Sequence, residues 1–170
     1  PEEVGRLGRQ LVETLQGHGV AACGKHFPGH GDGRADSHQE LPVIEHPPER
    51  LRAHEMVPFR EAIAADVASV MTAHVLYPAL DEEQPATLSR TVVTDILRNE
   101  LGHEGLIVTD DLDMKGVSGT RSVEEAAIGA LRAGCDTLLI CSDAVDRHAA
   151  VLEAIIHAVE TNALDRRVVE

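Results

Sequence analysis

Aromatic side chains make up 2% of this 170-residue sequence, with no tryptophan, one tyrosine and two phenylalanines. That scarcity removes the stacking platforms on which single-stranded nucleic acid is held. Positive charge is short as well: 15 Lys and Arg stand against 29 Asp and Glu, a formal net charge of -14. Phosphate backbones are neutralised by clustered Lys and Arg, and no such cluster occurs, so nucleic acid is not an expected partner. The three cysteines lack a CxxC spacing. Cys135 and Cys141 flank or sit in an apolar run and are expected to be buried, reduced thiols, as suits a cytoplasmic protein. No apolar run approaches the roughly 18 residues of a membrane span, so no membrane partner is expected. No dinucleotide-type or Walker-type glycine pattern follows any apolar run, and no cofactor is expected. The sequence starts at Pro1 without an initiator methionine or signal segment, as a piece of a longer protein would.

What the sequence does have is 43% apolar residues, enough to build the core of a single domain. It also has one crowded polar stretch, Gly24-Lys25-His26-Phe27-Pro28-Gly29-His30-Gly31-Asp32-Gly33, continuing to Asp36-Ser37-His38. The apolar run 20–23 before it reads as a strand, and the glycines and Pro28 predict a loop from Gly24 onward. Polar groups gathered on a loop at a strand end are a usual place for chemistry.

Along the chain, helical and strand patterns alternate. Val4, Leu7, Leu11 and Leu15 recur at helical spacing, with Gly17 and Gly19 ending the run. A second helix is expected from about Leu51, with Met56, Phe59, Ile63 and Val67 on one face and Pro58 opening or kinking it. Residues 68–72 form the next strand, ending at Thr72 and His74. Ser89 can cap a third helix carrying Val92, Val93, Ile96 and Leu97, stopped by Gly102. A third strand, 106–109, runs into Asp110-Asp111. Ser122 and Glu125 have capping-box spacing ahead of a helix at 123–133 closed by Gly134. A fourth strand is expected at 136–140 and a last helix at about 144–164.

A helix followed by four strand–helix units predicts an α/β fold with parallel strands. Lys25/His26, Thr72/His74 and Asp110/Asp111 all follow strands, as catalytic groups do at the C-terminal ends of barrel strands. The expected architecture is therefore a (β/α)8 TIM-type barrel of which residues 1–170 form part, about four units. The remaining, upstream half would be needed to close it, and its absence would leave unpaired sheet edges.

Asp110 is the candidate nucleophile. A carboxylate at a strand end can attack the anomeric carbon of a sugar and form a covalent intermediate, although a loop aspartate or helix cap would look the same in sequence. Such a mechanism also needs an acid that later acts as base. Asp36 and His38, two apart on the polar loop, can hydrogen-bond so that the carboxylate fixes the imidazole tautomer. An ordinary surface contact is the competing reading of this pair. Lys25, His26 and His74 can donate to sugar hydroxyls. A metal site built from His26, His30, Asp32, His38 and His74 is the rival use of these side chains, without a short ligand motif to set its geometry.

The block Lys25-His26-Phe27-Pro28-Gly29-His30-Gly31-Asp32, with Asp36-Ser37-His38 and Leu41-Pro42, resembles the signature of the β-N-acetylglucosaminidases of glycoside hydrolase family three. Met71-Thr72-Ala73-His74 and Val108-Thr109-Asp110-Asp111-Leu112-Asp113-Met114 resemble two further blocks of that group, in the same order. The resemblance implies a β/α barrel and a retaining enzyme releasing terminal N-acetylglucosamine from cell-wall muropeptides, in the bacterial cytoplasm. It makes Asp110 the nucleophile, His38 with Asp36 the acid/base, and Lys25 and His26 sugar contacts, with His74 in a matching block. A β-glucosidase-like relative or an inactive fragment are its alternatives. Gly33 departs from the threonine common in the pattern, and the aspartate and arginine of the family's first barrel strands have no counterpart here.

Overall fold

A computed structural model of the chain describes residues 1–31, 41–119 and 121–170. Its first element is α1 (Glu2–Gly17), followed by β1 (Cys23–Phe27). A short helical turn at Pro48–Arg50 and a wide turn at Leu51–Glu55 lead into α2 (Val57–Ala64), and β2 is Ser69–Thr72. Next come α3 (Thr91–Glu100), β3 (Leu106–Asp111), the short α4 (Lys115–Ser118) and α5 (Val123–Ala133). Finally, β4 (Thr137–Leu139) precedes α6 (Val145–Glu160).

The strands form one parallel sheet in the order β1-β2-β3-β4. Each strand-to-strand connection crosses through helix, as parallel neighbours require. The result is four strand–helix units of a β/α barrel, as the alternation of patterns predicts. Register runs Cys23 to Ser69, Ser69 to Leu106 and Val108 to Thr137, so the C-terminal ends lie on one side.

Side chains alternate across the sheet. Val70, Thr72, Ile107 and Thr109 are completely buried. On the opposite face Met71, Val108 and Asp110 are only half-buried. Asp110 therefore belongs to the face that these helices leave uncovered.

Local signals predict several element ends correctly. Ser122 Oγ accepts from the Glu125 N–H at 3.1 Å while Glu125 Oε2 accepts from the Ser122 N–H at 3.0 Å, closing the capping box of α5. Gly134 ends α5 at φ +108°, a left-handed conformation that favours glycine. Pro58 opens the regular part of its helix rather than kinking it.

Three expectations are corrected. The first strand is not 20–23 but Cys23–Phe27, so Gly24, Lys25, His26 and Phe27 belong to a strand and not a loop. Pairing with β2 decides this, because Cys23, Gly24 and Phe27 all find partners there, with an irregularity between the last two. Most of the apolar stripe of α1 is exposed, Val4, Leu7 and Leu11 at 61%, 52% and 59%, and of its four residues Leu15 packs against the core. Its buried residues are instead Gly5 and Val12, and Gly5 lies against the Glu61 side chain and Pro58. Among the cysteines, Cys135 is buried as expected, whereas Cys141 is exposed just beyond β4.

Candidate active site

Two strands bring the central pair together. Asp110 sits near the C-terminal end of β3 and His26 near that of β1, and His26 Nε2 lies 3.5 Å from Asp110 Oδ2. Both side chains are partly exposed, 31% for His26 and 21% for Asp110. The other Asp110 oxygen, Oδ1, accepts the N–H of Asp111 at 2.9 Å. One carboxylate oxygen is thus held by backbone while the other faces an imidazole across the uncovered side of the sheet.

Asp111 points differently. Its Oδ1 accepts the backbone N–H of Asp113 at 3.1 Å and of Cys141 at 3.0 Å. It braces the loop after β3 against the chain leaving β4. Asp113 continues this brace through an ion pair with Arg147 of α6.

His74 is placed beneath the site rather than on its surface. It is 1% exposed, with Nδ1 at 2.8 Å from Thr87 Oγ1 and Nε2 at 2.9 Å from the carbonyl oxygen of Asp111. Burial holds its imidazole below the ordinary value, because the charged form loses its hydration there. Both polar edges of the ring are taken by protein groups, so no edge faces a sugar hydroxyl in this arrangement.

Lys25 is exposed on β1. It lines a cavity of about 590 Å³ together with His26, His30 and Glu55 and the apolar Leu11 and Leu15 of α1. Past β1, Gly29 adopts φ +133°, and a Cβ there would lie 2.8 Å from Glu55 Cβ. Only glycine combines that backbone with that approach. Its carbonyl accepts a hydrogen bond from the Tyr77 hydroxyl at 2.6 Å. The chain leaving β1 is thereby tied at Gly29.

Asp36 and His38, with Asp32 of the rival metal set, lie outside the described residues. Among the described residues no group of three His, Cys, Asp or Glu side chains is arranged to hold a metal ion. No helix among them is long and apolar enough to cross a membrane. The sequence pattern points to His26, His74 and Asp110 at one end of the sheet, and the structure brings them there. It does not point to Thr87, Tyr77 or the backbone N–H of Cys141. Thr87 carries no local signal, since its role depends on a histidine in another element.

The glycosyl hydrolase family 3 N terminal domain matches residues 1–170. A curated β-hexosaminidase of Idiomarina loihiensis is 40% identical over 166 residues, covering 98% of this chain and 49% of that protein. The solved glycoside hydrolase family 3 β-N-acetylglucosaminidase from Paenibacillus sp. str. FPU-7 superposes with a TM-score of 0.93 at 47% identity, over 97% of this chain and 31% of that one. NagZ from Neisseria gonorrhoeae, solved in complex with N-trifluoroacetyl-D-glucosamine, gives 0.77 at 40% identity, over 90% of this chain and 43% of that one. This chain spans about half or less of the length of these relatives.

Proposed function

The chain belongs to glycosyl hydrolase family 3, and on that premise we propose that the complete protein is a retaining β-N-acetylglucosaminidase. Its substrates are cell-wall muropeptides carrying a non-reducing terminal N-acetylglucosamine, and it works in the cytoplasm. Residues 1–170 contribute one continuous stretch of the barrel domain, and the upstream half completes it. The observation that carries the reading is the Asp110 carboxylate, with Oδ1 held by the Asp111 N–H and Oδ2 facing His26 at 3.5 Å.

In the first step an Asp110 oxygen attacks the anomeric carbon while His38 gives its proton to the departing glycosidic oxygen. The C1–O bond to the leaving sugar breaks as the bond to Asp110 forms. In the second step the now neutral His38 takes a proton from water, which attacks the same carbon and releases Asp110. Net configuration is retained after two inversions. Asp36 holds the His38 tautomer and stabilises the imidazolium, and Lys25 and His26 donate to sugar hydroxyls. A neutral imidazole in place of a second carboxylate keeps one negative charge away from an anionic muramyl leaving group.

The test uses the complete protein with an activated aryl N-acetyl-β-glucosaminide and the matching β-glucoside. The acetamido substrate should turn over much faster, before and after chelation, and a slow-turnover analogue should label Asp110 in mapped peptides. Preference for the glucoside would move the protein to a β-glucosidase role. Loss of activity with chelator, restored by zinc, would favour a metal-dependent hydrolase. A label on Asp111 would overturn the nucleophile.

A further inference from the structure

Beneath the candidate site runs a buried chain of hydrogen bonds that ends on the residue after Asp110. Thr72 and Thr87 are fully buried and His74 is 1% exposed. Thr72 Oγ1 lies 2.9 Å from Thr87 Oγ1, Thr87 Oγ1 lies 2.8 Å from His74 Nδ1, and His74 Nε2 lies 2.9 Å from the Asp111 carbonyl oxygen. The hydrogens in this chain can be assigned. A carbonyl only accepts, so His74 Nε2 carries a hydrogen. Burial keeps the imidazole neutral, which leaves Nδ1 as an acceptor and the Thr87 hydroxyl as its donor. The Thr87 oxygen then accepts from Thr72. The Ala73 carbonyl, 3.0 Å from Thr87 Oγ1, receives the Thr87 backbone N–H at 3.2 Å and needs no second donor.

Residue 111 is consequently gripped from several directions. Its carbonyl is bound by His74 and its Oδ1 by the N–H groups of Asp113 and Cys141, and its own N–H points at Asp110 Oδ1. Turning residue 111 would break all of these together.

We propose that His74, backed by Thr87, is a positioning residue for Asp110: its Nε2–H fixes Asp111, whose N–H holds Oδ1 and leaves Oδ2 presented to the sugar. The proposal rests on Asp110 being the nucleophile. It replaces a sugar contact at His74 with an orienting one, carried from β2 to β3 across the sheet. Orientation matters here because an attacking carboxylate oxygen must approach the anomeric carbon in line with the departing oxygen, and small misalignments are costly in rate.

The experiment compares His74→Leu, His74→Gln and Thr87→Val in the complete protein. The glutamine amide nitrogen can reach the position of the imidazole Nε2 and keep the donor to Asp111, while the Thr87 hydroxyl turns to the Ala73 carbonyl. The readouts are the rate of covalent labelling at saturating activated substrate and the KM. His74→Leu should lower the labelling rate by about 10–100-fold with KM within about twofold. His74→Gln should recover to within about threefold of wild type, and Thr87→Val should lose about 3–10-fold, again with KM little changed. Should His74→Leu fail to fold, the Gln and Val variants carry the test by themselves.

Wild-type labelling rates in His74→Leu and Thr87→Val would overturn the proposal. So would a raised KM at unchanged rate, the mark of a sugar contact, or a Gln variant as impaired as Leu. Peptide mapping of the wild-type label separates the two readings. A label away from Asp110 defeats the nucleophile assignment, whereas a label on Asp110 with unimpaired variants defeats the positioning role alone.

Discussion

Tyr77→Phe isolates a single hydrogen bond to the chain just beyond β1. Tyr77 is the chain's one tyrosine, it is 1% exposed, and its hydroxyl donates to the Gly29 carbonyl at 2.6 Å. Phenylalanine fills nearly the same volume, so the change removes the bond without opening a cavity. A net hydrogen bond contributes about 0.5–1.5 kcal/mol, and orphaning a buried carbonyl adds about 1–3 kcal/mol. Gly29 is only half-buried, so water recovers part of that second cost, and a loss of about 1–2 kcal/mol is expected. With a urea dependence of about 2 kcal/mol per molar, the denaturation midpoint should fall by about 0.5–1 M. Burial pushes the phenol well above its ordinary value, so it remains a donor and the loss should be the same between about pH 5 and 9. Function should respond selectively. Gly29 leads toward the residues carrying Asp36 and His38, so a poor leaving group, which needs the acid, should suffer a roughly 3–10-fold loss. An activated aryl leaving group should suffer less. A midpoint unchanged within about 0.2 M would refute the reasoning, because the hydroxyl would then contribute nothing to holding Gly29.

In the complete protein, His38→Ala should still form the covalent intermediate from an activated aryl substrate but hydrolyse it slowly, giving a phenol burst and a rate loss on the order of 10²–10⁴. Azide should restore turnover and leave a β-configured azide, and stopped-flow absorbance with product NMR would check both. Stability should also fall with acid through two histidines. Burial holds His74 and His103 below the ordinary imidazole value, so the unfolded chain takes up protons below about pH 6.5 that the folded one refuses. The urea midpoint should therefore be lower at pH 5 than at pH 7.5, and His103→Gln should reduce the difference. An equal difference in wild type and variant would remove His103 from the account.

Much of the arrangement is determined by the sequence alone. Strand-like and helical patterns alternate, and that alternation already implies parallel strands in chain order with the Asp110-Asp111 pair at a strand end. Ser122, Glu125 and Gly134 mark the ends of α5 because capping and left-handed turns are interactions between near neighbours. Other features were decided only when distant segments met. Whether Gly24 to Phe27 is loop or strand depends on β2 lying alongside. Whether Val4, Leu7 and Leu11 are covered depends on which neighbour α1 packs against, and in this chain the answer is Gly5 and Val12 on α2's side. His74 shows the same division most plainly. The sequence places it after a strand, among groups that can touch a sugar. Its tertiary partners are Thr87, 13 residues away, and Asp111, 37 residues away. Local chemistry tells which side chain a strand end carries, but the direction in which that side chain is used is set by contacts that no nearby residue encodes.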